Sequence, residues 1–159
     1  MELIDRLSKL WDDSGVTRND GASTETIAAF EQAHSLSLPD DVRRFYLRFN
    51  GTVEADSAFI AFWPLDEIDT VPKKLSDYSG IPDYSGIAEN LPNADDYFVF
   101  ADHSIWVNVY AVRLKGERSA MAPVLWIADG GAATMICELP HPSISPAPRD
   151  CNNDIYRRP

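Results

Sequence analysis

The chain has 159 residues, 45% of them apolar and 25% charged, which suits one soluble domain able to bury a core without disulfides. Its formal net charge of −11 argues against direct binding to phosphate backbones. No run approaches the roughly 18 apolar residues of a membrane span, and residues 1–5 lack a basic segment leading into an apolar one. The sequence reads as cytoplasmic, with Cys137 and Cys151 as free thiols.

Residues 2–13 predict a first helix, with Leu3, Leu7, Leu10 and Trp11 on one stripe and Gly15 as its stop. After a polar loop, Ser23 or Thr24 can cap a second helix to His34, with Ile27 and Phe30 facing the core. A short Leu36-Ser37-Leu38 link leads to Pro39, which can open a helix without losing a needed N–H. Asp40 and Asp41 then place negative charge at the positive end of its dipole. Val42, Phe45, Tyr46 and Phe49 recur on one face, and Asn50-Gly51 ends the helix.

Beyond Gly51 the periodicity changes. Residues 58–63 suit a short buried strand ended by Pro64, and residues 65–69 a helical turn. Residues 71–93, rich in Pro, Gly, Ser and Asp, read as irregular. They contain a tandem repeat, Asp77-Tyr78-Ser79-Gly80-Ile81-Pro82 followed by Asp83-Tyr84-Ser85-Gly86-Ile87-Ala88. Two six-residue copies are too few for a solenoid, so this is a local loop duplication or a recognition loop. Residues 97–101 and 105–114 read as paired strands joined tightly through Asp102-His103-Ser104. Residues 123–128 and 134–137 supply two more, with a turn at Asp129-Gly130-Gly131 between them. Trp63, Trp106 and Trp126 are expected in the core, with Phe30, Phe45 and Phe49 bridging helices to sheet. The fold class expected is α+β: N-terminal helices packed on one face of a mainly antiparallel sheet of about four to six strands. A single domain over residues 1–138 is expected, with a proline-rich, irregular tail over residues 139–159.

No phosphate loop, dinucleotide fingerprint, H-E-x-x-H or C-x-x-C is present. Asp102-His103-Ser104 has the residue types of a hydrolytic triad, but three consecutive residues in a turn cannot by themselves form the relay. Asp95-Asp96 and Asp66-Glu67-Asp69 do not follow calcium-loop spacing. We therefore expect no catalytic residues, no cofactor and no metal. What stands out is charge: eleven carboxylates between Glu54 and Asp102 face only Lys73 and Lys74. Such a surface either serves solubility or steers a basic protein partner toward itself. The partner-binding candidates are Glu54, Asp56, Asp66, Glu67 and Asp69, with Tyr78 and Tyr84 as aromatic anchors.

The segment Leu-Pro-Asp-Asp-Val-Arg-Arg-Phe-Tyr-Leu-Arg-Phe-Asn-Gly at residues 38–51 resembles the "LP-acidic-x-aromatic … NG" element of the SUKH superfamily. Ile27, Phe30 and Glu31 stand where that family places its I-x-x-F/L-E helix, and the run from Phe100 to Leu114 resembles its central sheet. The superfamily includes bacterial immunity proteins, the Syd protein and yeast cell-wall-synthesis regulators. The resemblance implies a cytoplasmic immunity protein that neutralises a cognate toxin with a basic surface by non-catalytic binding, with no nucleic acid or membrane involved. Its alternative is a regulatory or scaffold module with a housekeeping partner. The family's closing amphipathic helix, with its Ser-Phe-x-x-Phe pattern, has no counterpart at the C-terminus; a diverged or frame-changed tail would account for that.

Overall fold

A computed structural model describes residues 3–76, 78–84, 86–116, 122–128 and 133–137. The tail at 139–159, the turn at 129–131, His141 and Cys151 lie outside the described residues. Three helices open the chain: α1 (Leu3–Asp13), α2 (Thr24–His34) and α3 (Asp40–Arg48). Ser23 caps α2 by accepting from the Thr26 N–H at 3.1 Å. Glu31 ties α2 to α3 and to the link between them, pairing with Arg43 and accepting from the Leu38 N–H at 2.6 Å. These contacts give the glutamate of the I-x-x-F-E pattern a structural task.

The helix predicted to end at Asn50-Gly51 ends at Arg48, and Phe49 is already extended. Asn50 and Gly51 serve the next strand instead. The Asn50 side-chain oxygen accepts from the Leu65 N–H at 2.8 Å. Gly51, at φ +80°, lets the chain pass so near β1 (Ile60–Phe62) that an added Cβ would sit 2.6 Å from the Phe62 carbonyl oxygen.

The remaining strands are β2 (Asp69–Thr70), β3 (Tyr97–His103), β4 (Asn108–Arg113), β5 (Val124–Ile127) and β6 (Ala133–Cys137). They form one sheet in the order β1-β3-β4-β5-β6, with β2 also pairing β3, and every pairing is antiparallel. A bulge between Val99 and Ala101 inverts the alternation along β3. Phe98 and Ala101 can therefore share a face, with Phe62 opposite Ala101. The N-terminal helices lie on that face: Phe30 of α2 meets Phe98 edge-on, and Trp11 joins Phe45, Phe49 and Phe62 in an aromatic cluster.

The other face carries Val99, Asp102, Val109 and Ala111. It is covered by the segment read as irregular from sequence, which contains α4 (Val71–Ser76) and α5 (Ile87–Asn90). Val71, Leu75, Tyr84 and Ile87 are all buried there. Propensity missed these helices because each is too short to show a period, and packing rather than propensity makes them. Two further expectations are corrected. β3 continues through Asp102 and His103, so the connection to β4 is the turn 104–107 and Ile105 and Trp106 lie outside the strand. Trp63 is buried as expected, but Trp106 and Trp126 are only partly buried, and the deeply buried tryptophan is Trp11.

Candidate protein-binding surface

The loops around the acidic segment take their shape from a few buried polar groups. Asp56, 7% exposed, accepts from the Ala58 and Ile60 N–H groups at 2.8 and 3.0 Å and so closes the loop leading into β1. Asp102, 6% exposed, accepts from the Trp63 indole at 2.9 Å and the Trp106 N–H at 3.1 Å. The Tyr84 hydroxyl donates to the Trp106 carbonyl at 2.8 Å. Tyr78 stacks on the Trp106 ring, 5.2 Å between centroids and 14° between planes, and Trp106 leans on Trp63 at 4.8 Å.

The two copies of the tandem repeat thus occupy unlike environments. Ile81 is 93% exposed whereas Ile87 is buried at the start of α5. The residues after each isoleucine differ: Ala88-Glu89-Asn90 continue a helix from Ile87, whereas Pro82-Asp83-Tyr84 after Ile81 form none. Tyr84 belongs to the core and holds a loop, and Tyr78 stands half-buried as a platform beside it.

Asp66, Glu67 and Asp69 line an open groove of about 350 Å³ together with Lys73, Lys74 and Trp106. Asp69 pairs with Lys73 at 2.5 Å. Burial works against its charge, but the Lys73 and Thr70 N–H bonds outweigh it and hold the carboxyl below its ordinary range. Lys74 donates to the Glu67 carbonyl oxygen at 2.7 Å and lies 4.5 Å from the Trp63 ring centroid. Both lysines of the acidic segment are therefore held in place, while Asp66, Glu67 and, outside the groove, Glu54 are exposed. The structure brings together Asp66, Glu67, Asp69 and Trp106, with Tyr78 behind. Glu54 and Asp56 do not line the groove.

The triad residue types do not form a relay. His103 faces Ser104 Oγ and the Asn108 side chain, each at 3.3 Å, while the Asp102 carboxylate is directed at Trp63 and Trp106. His34 packs against Phe30 and Phe98, and burial holds its pKa below the ordinary value. No group of three or more His, Cys, Asp or Glu side chains is placed to hold a metal ion among the described residues. No helix of the described residues is long and apolar enough to cross a membrane.

Sequence reasoning missed Phe59 and Ile105, exposed apolar side chains on the two loops that Asp56 and Asp102 close. Alternation placed Ile105 in a strand because an apolar residue inside a four-residue turn carries no periodic signal of its own. Comparison with curated proteins returns no match. The model of the SMI1 / KNR4 family (SUKH-1) matches residues 21–144, spanning α2, α3 and the whole sheet, and the chain belongs to that family.

Proposed function

We propose that this chain is a cytoplasmic immunity protein that binds and neutralises a cognate bacterial toxin of a polymorphic or contact-dependent system by contact alone. Family membership carries the reading. The acidic surface agrees with it: toxins that act on nucleic acid need basic grooves, and an acidic protein can occupy or overlie one. Asp66 and Glu67 at the groove, with Glu54 on the neighbouring loop, are the carboxylates available for such a contact. Asp69 contributes less net charge because Lys73 sits on it, and Tyr78 acts by supporting Trp106. Asp56 and Tyr84 act indirectly, by shaping the loops.

The test is capture from lysate of the source cell on the tagged chain at low and high salt, then expression of the captured protein alone and with this chain. The expected partner is a basic domain that is retained at low salt, released at high salt, and lethal unless co-expressed. A captured protein whose expression is harmless would replace the proposal with a regulatory module.

A further inference from the structure

Two adjoining loops share one construction. In each, a buried aspartate accepts backbone N–H groups two to four residues ahead, and the chain between takes left-handed conformations that turn an apolar side chain into water. In the first, Asp56 closes the loop and Phe59 stands at φ +60°, 66% exposed. In the second, Asp102 closes the turn; Ser104, Ile105 and Trp106 stand at φ +53°, +55° and +67°, and Ile105 is 89% exposed. The Ser104 N–H donates to the Phe59 carbonyl at 2.8 Å, so the two tips are neighbours. Val107, 48% exposed, continues the second tip.

A single exposed isoleucine needs no explanation. A β-branched side chain at positive φ is a genuine outlier, because its Cβ crowds the following carbonyl. Three consecutive non-glycine residues in that region, fixed from beneath by a buried carboxylate and the Tyr84 hydroxyl, concentrate strain in one exposed turn. Strain of this kind gathers at sites that act on something. The surroundings say what kind of partner fits. Trp106, next to Ile105, lines the groove with Asp66 and Glu67, and the loop before Phe59 carries the exposed Glu54. The only basic residues between Glu54 and Asp102, Lys73 and Lys74, are both engaged at that groove.

We infer that Phe59 and Ile105 form the apolar centre of the binding surface, bordered by acids, and that the partner presents apolar side chains flanked by lysine or arginine. This rests on the toxin-binding reading and names where and how the contact is made.

The probe is a synthetic amphipathic helical peptide with a leucine face bordered by lysines, beside a counterpart whose leucines are serine. Binding to the full chain is measured by fluorescence anisotropy, for wild type and for Phe59→Asn and Ile105→Asn, with circular dichroism confirming the fold. The leucine peptide should bind wild type, the serine peptide should not, and each substitution should weaken binding about tenfold, the effect of losing one contact residue. Equal binding by wild type and both variants would overturn the inference, as would failure of wild type to bind. So would sedimentation showing a wild-type dimer that either substitution dissociates, because a second copy would then cover the tips. None of these outcomes touches the suppression of toxicity, which tests the immunity reading by itself.

Discussion

If the turn at Ile105 is held for binding, it is held at a cost that a substitution can recover. Ile105 stands at φ +55° with 89% of its surface exposed, so its side chain contributes almost no burial to the fold. The left-handed conformation costs an ordinary L-residue about 1–2 kcal/mol, and asparagine is among the residues that tolerate it. Ile105→Asn should therefore stabilise the protein by about 1 kcal/mol, less than the full penalty because asparagine also pays part of it. In a chain of this length that raises Tm by roughly 2–4 °C. Glycine would relieve the turn as well but loses more backbone entropy on folding, so Ile105→Gly should gain less. Phe59→Asn, at φ +60° and 66% exposed, should behave in the same direction. Thermal melts and urea titrations followed by tryptophan fluorescence read the effect. An Ile105→Asn protein that melts at or below the wild-type temperature would refute the reasoning, since it would mean the isoleucine contributes contacts that outweigh its backbone.

The packing sets further outcomes. Trp63→Phe and Asp102→Ala should each cost about 1–3 kcal/mol or more, because each leaves a buried polar group without its partner. A double-mutant cycle by urea denaturation should show the two coupled by about 1 kcal/mol, and additive losses would contradict a direct bond. Trp11→Ala should cost about 3–5 kcal/mol, since Trp11 is 1% exposed among Phe45, Phe49 and Phe62; calorimetry reads the loss. Gly21→Ala should unfold much of the protein at room temperature by circular dichroism, because a Cβ there would lie 2.0 Å from the Leu47 carbonyl oxygen. His34, whose pKa is lowered chiefly by burial, binds its proton more readily unfolded than folded. Its contribution to stability is complete above its ordinary value of 6.5 and is lost as pH falls below that toward the folded value. His34→Leu should flatten the decline in urea midpoint as pH falls below about 6.5.

The helices and the longer strands were legible because each repeats one period over enough residues to be read. α2 shows its Ser23 cap and the Ile27–Phe30 spacing, and β4 and β5 their runs of Val, Tyr, Leu and Trp. What was not legible has a common physical cause. α4 and α5 have six and four residues, so no period can show, and they exist because Leu75 and Ile87 are buried against the sheet. The bulge in β3 left no trace either, since Phe98, Val99, Phe100 and Ala101 are apolar whichever face they take. A run that is apolar throughout fixes that the strand is central but leaves its register to the partner strand.

The surface was legible only as a count of charges, and a count cannot distinguish a carboxylate that faces water from one that builds the fold. Asp56 and Asp102 read like any other acid in the segment, yet both are buried acceptors for backbone N–H groups. Asp69 and Asp96 are neutralised in place by Lys73 and Arg113. The acids that build and the acids that face outward are nonetheless connected. Asp102 fixes the Trp106 backbone, Trp106 lines the groove beside Asp66 and Glu67, and the same turn holds Ile105 in water. Removing the Asp102 carboxylate should thus disorder the apolar tip and the groove wall together, whereas reversing the charge of Asp66 or Glu67 should slow association with a basic partner and leave the turn intact. The buried acids set the shape of the surface and the exposed acids set its field, and a partner that reads both will be sensitive to each in a different rate constant.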